Sequence, residues 1–315
     1  MGALRAEESM TVIKNFALFF EEKEGSTAVV QCLDALESVS VVRRETESGL
    51  GGWEPFEWFN CGSLGPDRFR RCLDLIYGKR PLDLGRLNEI YTATARAPLR
   101  PFDASGTVGF KMRITPPWDI PDLPAASRYR KLKAVDVLCR AIRRSGRNAF
   151  KRLMGESLSS LGVVVLVMVR QDVFRWAISK YHGDGTGKPG HLQFRMAAGG
   201  ATAGALPRIR IDPRRFGRIV DKCVQLHRTK RWWFDAMQAA GVQAYPLLYE
   251  EFAGDRLAFF TDLAAKLGIS SGTQEIAERI SGGTRLKRVH GSDISDYVVN
   301  HQEITDLYGD RFVKW

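Results

Sequence analysis

The sequence predicts an α/β fold: a mainly parallel central sheet flanked by helices. Short apolar runs alternate with longer stretches of helical period along the whole chain. One of those runs, VVVLVMV at 163–169, is apolar on both faces, as a central strand of a parallel sheet must be. The 315 residues contain no convincing linker, so a single α/β domain over 1–315 is expected.

The first element is a strand at 16–19 (FALF), which runs into the loop Lys23-Glu24-Gly25-Ser26-Thr27. A helix at 28–37 follows, with Val29, Leu33 and Leu36 on one face. Helical period returns at 67–77, and 108–114 (VGFKMRI) reads as the next strand. Beyond it come a helix at 131–153, the 163–169 strand, and helices at 172–181 and 214–240. A strand at 244–248 and a helix at 256–267 complete the pattern. Residues 183–205 are glycine-rich without a period and read as a loop insertion, a lid on the substrate side.

Composition narrows the function classes. The longest apolar run, residues 161–169, is too short to cross a bilayer as a helix, so no transmembrane segment and a cytoplasmic protein are expected. Cys32, Cys61, Cys72, Cys139 and Cys223 are scattered without metal-ligand spacing; reduced thiols and no bound metal are expected. The net charge of +11 asks for an anionic partner: nucleic acid, an acidic lipid surface or a phosphorylated cofactor. Nucleic acid is disfavoured, because no helix-turn-helix, zinc-finger or RNP signature is present.

A strand–loop–helix junction exposes unpaired N–H groups at the start of the helix, which favour phosphate. Gly25 lets backbone approach an anion, Ser26 and Thr27 bring hydroxyls, and Lys23 brings a compact cation. The same residues also suit a plain N-capped helix. They are not a Walker A loop, whose lysine follows its glycines. In the second constellation Arg170 ends the 163–169 strand, and Ser179 lies on the helix after it. Ligands of α/β folds bind at such strand ends, and a guanidinium with a hydroxyl can grip a second phosphate. Arg170 as a surface ion-pair residue is the other reading.

Together these blocks resemble the sulfotransferases that use 3′-phosphoadenosine-5′-phosphosulfate (PAPS), and the Arg170-to-Ser179 spacing looks most like the bacterial trehalose-sulfotransferase-like branch. VGFKMR at 108–113, the segment 211–256 and RLKRVHGSDISDYVVNHQEI at 285–304 are similar to further blocks of that branch, in the same order. The resemblance implies a P-loop-like nucleotide-binding fold, PAPS as donor, adenosine 3′,5′-bisphosphate as product, and no metal. It implies that Lys23, Glu24, Gly25, Ser26 and Thr27 surround the 5′-phosphosulfate, with Lys23 near the bridging oxygen. Arg170 and Ser179 would hold the 3′-phosphate, with Lys287 and Arg288 closing over it. Glu24 stands where that family carries Ser, Thr or Gly, which puts a carboxylate beside the expected phosphates unless it points outward or pairs with an arginine.

The acceptor hydroxyl must lose a proton. Glu45, eighteen residues after Thr27, is at the distance the resemblance implies for the base; Glu57 competes, and His182 is a third candidate. Trp53, Phe56, Trp58 and Phe59 can line an acceptor site or pack the core. The expected acceptor is a hydroxyl of a carbohydrate, glycolipid or small metabolite, and a homodimer stands among the expected states. The competing expectations are a catalytically lapsed protein of the same fold and a nucleotide-dependent phosphotransferase.

Overall fold

The computed structural model describes residues 14–46, 52–56, 58–78, 81–92, 97–114, 152–185, 208–269, 271–283 and 293–315. Its centre is a five-stranded, all-parallel sheet. The strands are β1 (Phe16–Phe20), β2 (Val39–Val41), β3 (Thr107–Arg113), β4 (Val164–Val169) and β5 (Ala244–Leu248), in spatial order β2-β3-β1-β4-β5.

Around it lie α1 (Ser26–Asp34), α2 (Trp58–Tyr77), α3 (Leu84–Thr92) and α4 (residues 152–160). The remaining helices are α5 (Val173–Gly185), α6 (Pro213–Ala239), α7 (Tyr249–Gly254), α8 (Arg256–Leu267), α9 (Thr273–Gly283) and α10 (His301–Tyr308). None of the helices among the described residues is long and apolar enough to cross a membrane.

The sheet is covered on both faces, which explains why its middle strands read as unbroken apolar runs. Along β1 the side chains alternate: Phe16, Leu18 and Phe20 pack with α1, α8 and α9, whereas Ala17 and Phe19 face α2, α3 and α4. A third cluster joins α5 to α6 and to the C-terminal segment through Trp176, Phe216, Val298 and Ile304. Asn300 clamps that segment: its amide donates to Ile211 O and accepts from Ile211 N–H, both at 2.9 Å.

The four strand-like runs form strands at the expected places. The three-residue edge strand β2 was not expected, because three residues carry too little alternation to stand out. Helices α3 and α9 were likewise not expected, being short and mostly polar. The expected helix at 131–153 lies outside the described residues except for 152 and 153, which begin α4. The expected loop insertion at 183–205 also lies outside them, apart from residues 183–185 at the end of α5. Cys32, Cys72 and Cys223 are buried and free, and burial pushes their thiols up to about 11, 12 and 12.

Strand order brings the carboxyl ends of β3, β1 and β4 side by side, with β1 in the middle. One glycine permits this closeness. A Cβ on Gly109 would lie 2.1 Å from the Phe16 ring, because the two residues are paired across β1 and β3. Gly109→Ala should therefore destabilise the fold by about 1–3 kcal/mol, through overpacking beneath the site. Urea unfolding of the variant checks this; an unchanged midpoint would show that Phe16 has room to move.

Candidate functional site

The chain leaves β1 through Glu21 and Glu22 and turns into α1 with an alternating backbone hand. Lys23 has φ 68° and Gly25 φ 78°, while Glu24 between them keeps a negative φ. Such alternation arranges successive N–H groups as a concave row that suits an anion. Lysine in the left-handed region is strained by roughly 1–2 kcal/mol, so the neighbours must hold it there.

Three ties do so, each from a different element. Trp176 Nε1 on α5 donates to Glu22 O at 2.8 Å. Arg170 Nη1 at the end of β4 donates to Lys23 O at 3.0 Å. Lys230 Nζ on α6 pairs with Glu24 Oε1, and both side chains are fully buried. The other Glu24 oxygen accepts from Glu21 N–H at 2.7 Å, and Lys230 also donates to Met168 O at 3.0 Å. Burial pushes the Glu24 carboxyl up, while Lys230 and the Glu21 N–H pull it back down. Glu24 is thus turned into the protein and paired with a lysine, rather than pointing outward or pairing with an arginine.

Gly25 caps α1 without any side-chain hydrogen bond. The hydroxyls of the first turn point elsewhere: Lys111 Nζ on β3 lies 2.6 Å from Thr27 Oγ1 and 3.4 Å from Ser26 Oγ. The same nitrogen is 3.2 Å from Glu54 Oε1 and 4.2 Å from the Phe20 ring centre. Burial pulls the Lys111 ammonium below its usual range, and the Glu54 carboxylate opposes that.

Arg170 and Ser179 meet as the sequence expected, with Nη1 and Oγ 3.2 Å apart. The guanidinium stacks 4.5 Å over Tyr249, whose ring also lies against Gly25. Arg170 Nε is buried and has no hydrogen-bond partner among the described residues. Lys180, one residue after Ser179, adds another cation 3.9 Å from Glu22.

The base candidates part company. Glu45 is exposed and carries no ion pair among the described residues; its N–H donates to Pro98 O at 2.8 Å. Glu57, Lys287 and Arg288 lie outside the described residues. His182 is buried against Tyr297, in the α5–α6 cluster. Phe56 belongs to the core, with its ring edge-on to Phe69, Tyr91 and Phe110, and Trp53 is buried under Arg43. The side chains of Trp58 and Phe59 lie outside the description.

Lys111, Lys230 and Glu54 are among the residues of the site that had no role in the sequence reading. Lys111 was visible as a charge in the middle of a strand whose side chains are buried from Thr107 to Met112. Lys230 falls on the buried stripe of α6 with Leu226, His227, Trp233, Phe234 and Met237, so its helical phase gave it away. Glu54 had no periodic signal, since loop position depends on tertiary contacts. No family model, curated protein or solved structure matches the chain.

Two outcomes follow from the buried network. Lys230→Met leaves the Glu24 carboxylate unpaired in the interior and should cost about 3–5 kcal/mol; adding Glu24→Gln should recover much of it. Denaturant unfolding of the two variants measures this, and equal losses would contradict the pairing.

His227, one turn before Lys230, places Nε2 2.6 Å from Arg170 O, so that nitrogen carries the hydrogen and Nδ1 is bare. Burial and then the nearby Lys230 pull its pKa down from 6.5 to about 4. The unfolded chain therefore binds the extra proton first as pH falls, and stability drops between pH 6.5 and 4, by about 3 kcal/mol in all. His227→Gln should flatten that part of the stability–pH curve; a curve identical to wild type would contradict the assignment.

Proposed function

We propose that the protein is a PAPS-dependent sulfotransferase with a P-loop-like fold, moving a sulfuryl group to a hydroxyl of a carbohydrate, glycolipid or small metabolite. One observation carries the reading. The Arg170–Ser179 pair and the 23–27 loop, far apart in sequence, are joined by the hydrogen bond from Arg170 to Lys23 O at the carboxyl end of the sheet. Two anion-binding elements so joined suit a ligand with a phosphate at each end, as adenosine 3′,5′-bisphosphate is.

The residues present fit that group. The concave N–H row and the Ser26 and Thr27 hydroxyls suit the 5′-phosphosulfate, with Lys23 and Lys111 as flanking cations. The buried, unpartnered Arg170 Nε and the Ser179 hydroxyl suit the 3′-phosphate. Glu24, the residue that argued for a lapsed site, is fully buried against Lys230 and adds no carboxylate to the ligand side. The donor brings the sulfuryl group to be transferred; the protein orients it and neutralises charge on the leaving oxygens. By resemblance, Lys287 and Arg288 would close over the nucleotide.

Calorimetric titration with adenosine 3′,5′-bisphosphate tests the reading. Wild type should bind at micromolar concentration, Arg170→Ala should lose about 100-fold or more in affinity through an unpaired phosphate, and Lys23→Ala should lose transfer. Absence of wild-type binding, or equal binding by Arg170→Ala, would contradict the proposal.

A further inference from the structure

Transfer to a hydroxyl needs a base beside the donor's departing end, exposed enough to meet the acceptor and fixed in place. Among the carboxylates around the loop, Glu24 is buried and paired, and Glu22, though 52% exposed, is shared between two cations, Arg113 at 2.5 Å and Lys180 at 3.9 Å. Glu54 differs. Its side chain is 26% exposed, and a single lysine nitrogen separates it from the Thr27 hydroxyl.

The segment carrying it is rigidly held. Gly52, at φ 79°, accepts from Arg44 N–H at 2.8 Å, and a Cβ there would lie 2.2 Å from Arg44 O. Trp53 and Phe56 are buried on either side of Glu54, and Tyr91 donates to Pro55 O at 2.6 Å. The carboxylate is therefore presented from an anchored turn.

Lys111 gives the arrangement a second property. An ammonium has three protons, and here three oxygens surround it: Thr27 Oγ1, Ser26 Oγ and Glu54 Oε1. An anion settling on the two hydroxyls needs a share of those protons. The hydroxyls can rotate to donate to the anion themselves, and the partly exposed Glu54 is the acceptor that water or an incoming hydroxyl can satisfy instead.

We propose that Glu54 is the base that takes the acceptor's proton, and that Lys111 holds it until the donor nucleotide draws the lysine away. The inference rests on the sulfotransferase reading. The acceptor oxygen forms its bond to sulfur as the bond from sulfur to the 5′-phosphate oxygen breaks. The acceptor's proton passes to Glu54, and adenosine 3′,5′-bisphosphate leaves with the electron pair of the broken bond. The donor must therefore bind before the base is free.

Two readouts on Glu54→Gln test this: calorimetric affinity for adenosine 3′,5′-bisphosphate, and sulfate released from PAPS with water in the acceptor's place. The variant should bind the nucleotide about tenfold more tightly, because Lys111 has lost its competing anion, yet release sulfate at least about 100-fold more slowly. A merely structural Glu54 would weaken binding instead. Glu54→Asp, which keeps the charge, should return both readouts toward wild type. Nucleotide binding no tighter in Glu54→Gln, or undiminished sulfate release, overturns the inference and leaves the donor reading standing. Loss of sulfate release in Glu45→Gln alone would do the same. No nucleotide binding by wild type overturns the donor reading, and this inference with it.

Discussion

The site depends on the grip that α5, α6 and the end of β4 keep on three consecutive residues. Glu22 and Lys23 present their carbonyls to Trp176 and Arg170, and Glu24 sends its carboxylate to Lys230. With these groups drawn inward, the strained backbone at Lys23 stays in place. A loop with a single glycine and three glutamates nearby would otherwise be a poor anion cradle. Burying the Glu24–Lys230 pair is not itself stabilising against an apolar alternative, since desolvation offsets much of the attraction. Its contribution is to conformation: the pair ties the loop to α6 and to Met168 O.

The same helix reads and holds both halves of the site. Lys230 reaches Glu24 and Met168 O, while His227, one turn earlier, reaches Arg170 O. Arg170 in turn spans from the loop to Ser179, so the carboxyl ends of β1 and β4 and the helices α5 and α6 share one connected polar network. Because its members are tied by hydrogen bonds, the proposed nucleotide would meet an arrangement already in place and require less ordering on binding. Positive charge gathered there, from Lys23, Lys111, Arg170 and Lys180, gives part of the chain's +11 a specific location.

Much of the architecture was legible from residue pattern. The strand-like runs at 16–19, 108–114, 163–169 and 244–248 became β1, β3, β4 and β5, and burial on both faces gives β1 and β4 the plainest signature. The loop and the Arg170–Ser179 pair were legible too, and the structure brings them together. What escaped was set by tertiary contact. Glu24 looked like a carboxylate among phosphates until Lys230, more than two hundred residues away, proved to be its partner. Glu54, whose ion pair with Lys111 joins it to the loop, carried no signal in the sequence. A turn between Trp53 and Phe56 has no period to read, and its aim is fixed by the pockets those rings fill. Of the four aromatics read as lining an acceptor site or packing the core, Trp53 and Phe56 belong to the core.

The central claim is spatial: one nucleotide spans the loop and the Arg170–Ser179 pair. A crystal structure of the protein with adenosine 3′,5′-bisphosphate tests it most directly. The 5′-phosphate should lie against the N–H groups and hydroxyls of Gly25, Ser26 and Thr27, and the 3′-phosphate on Arg170 and Ser179, with Glu24 still paired to Lys230. A nucleotide seated elsewhere, or one whose binding pulls Glu24 away from Lys230, would contradict it.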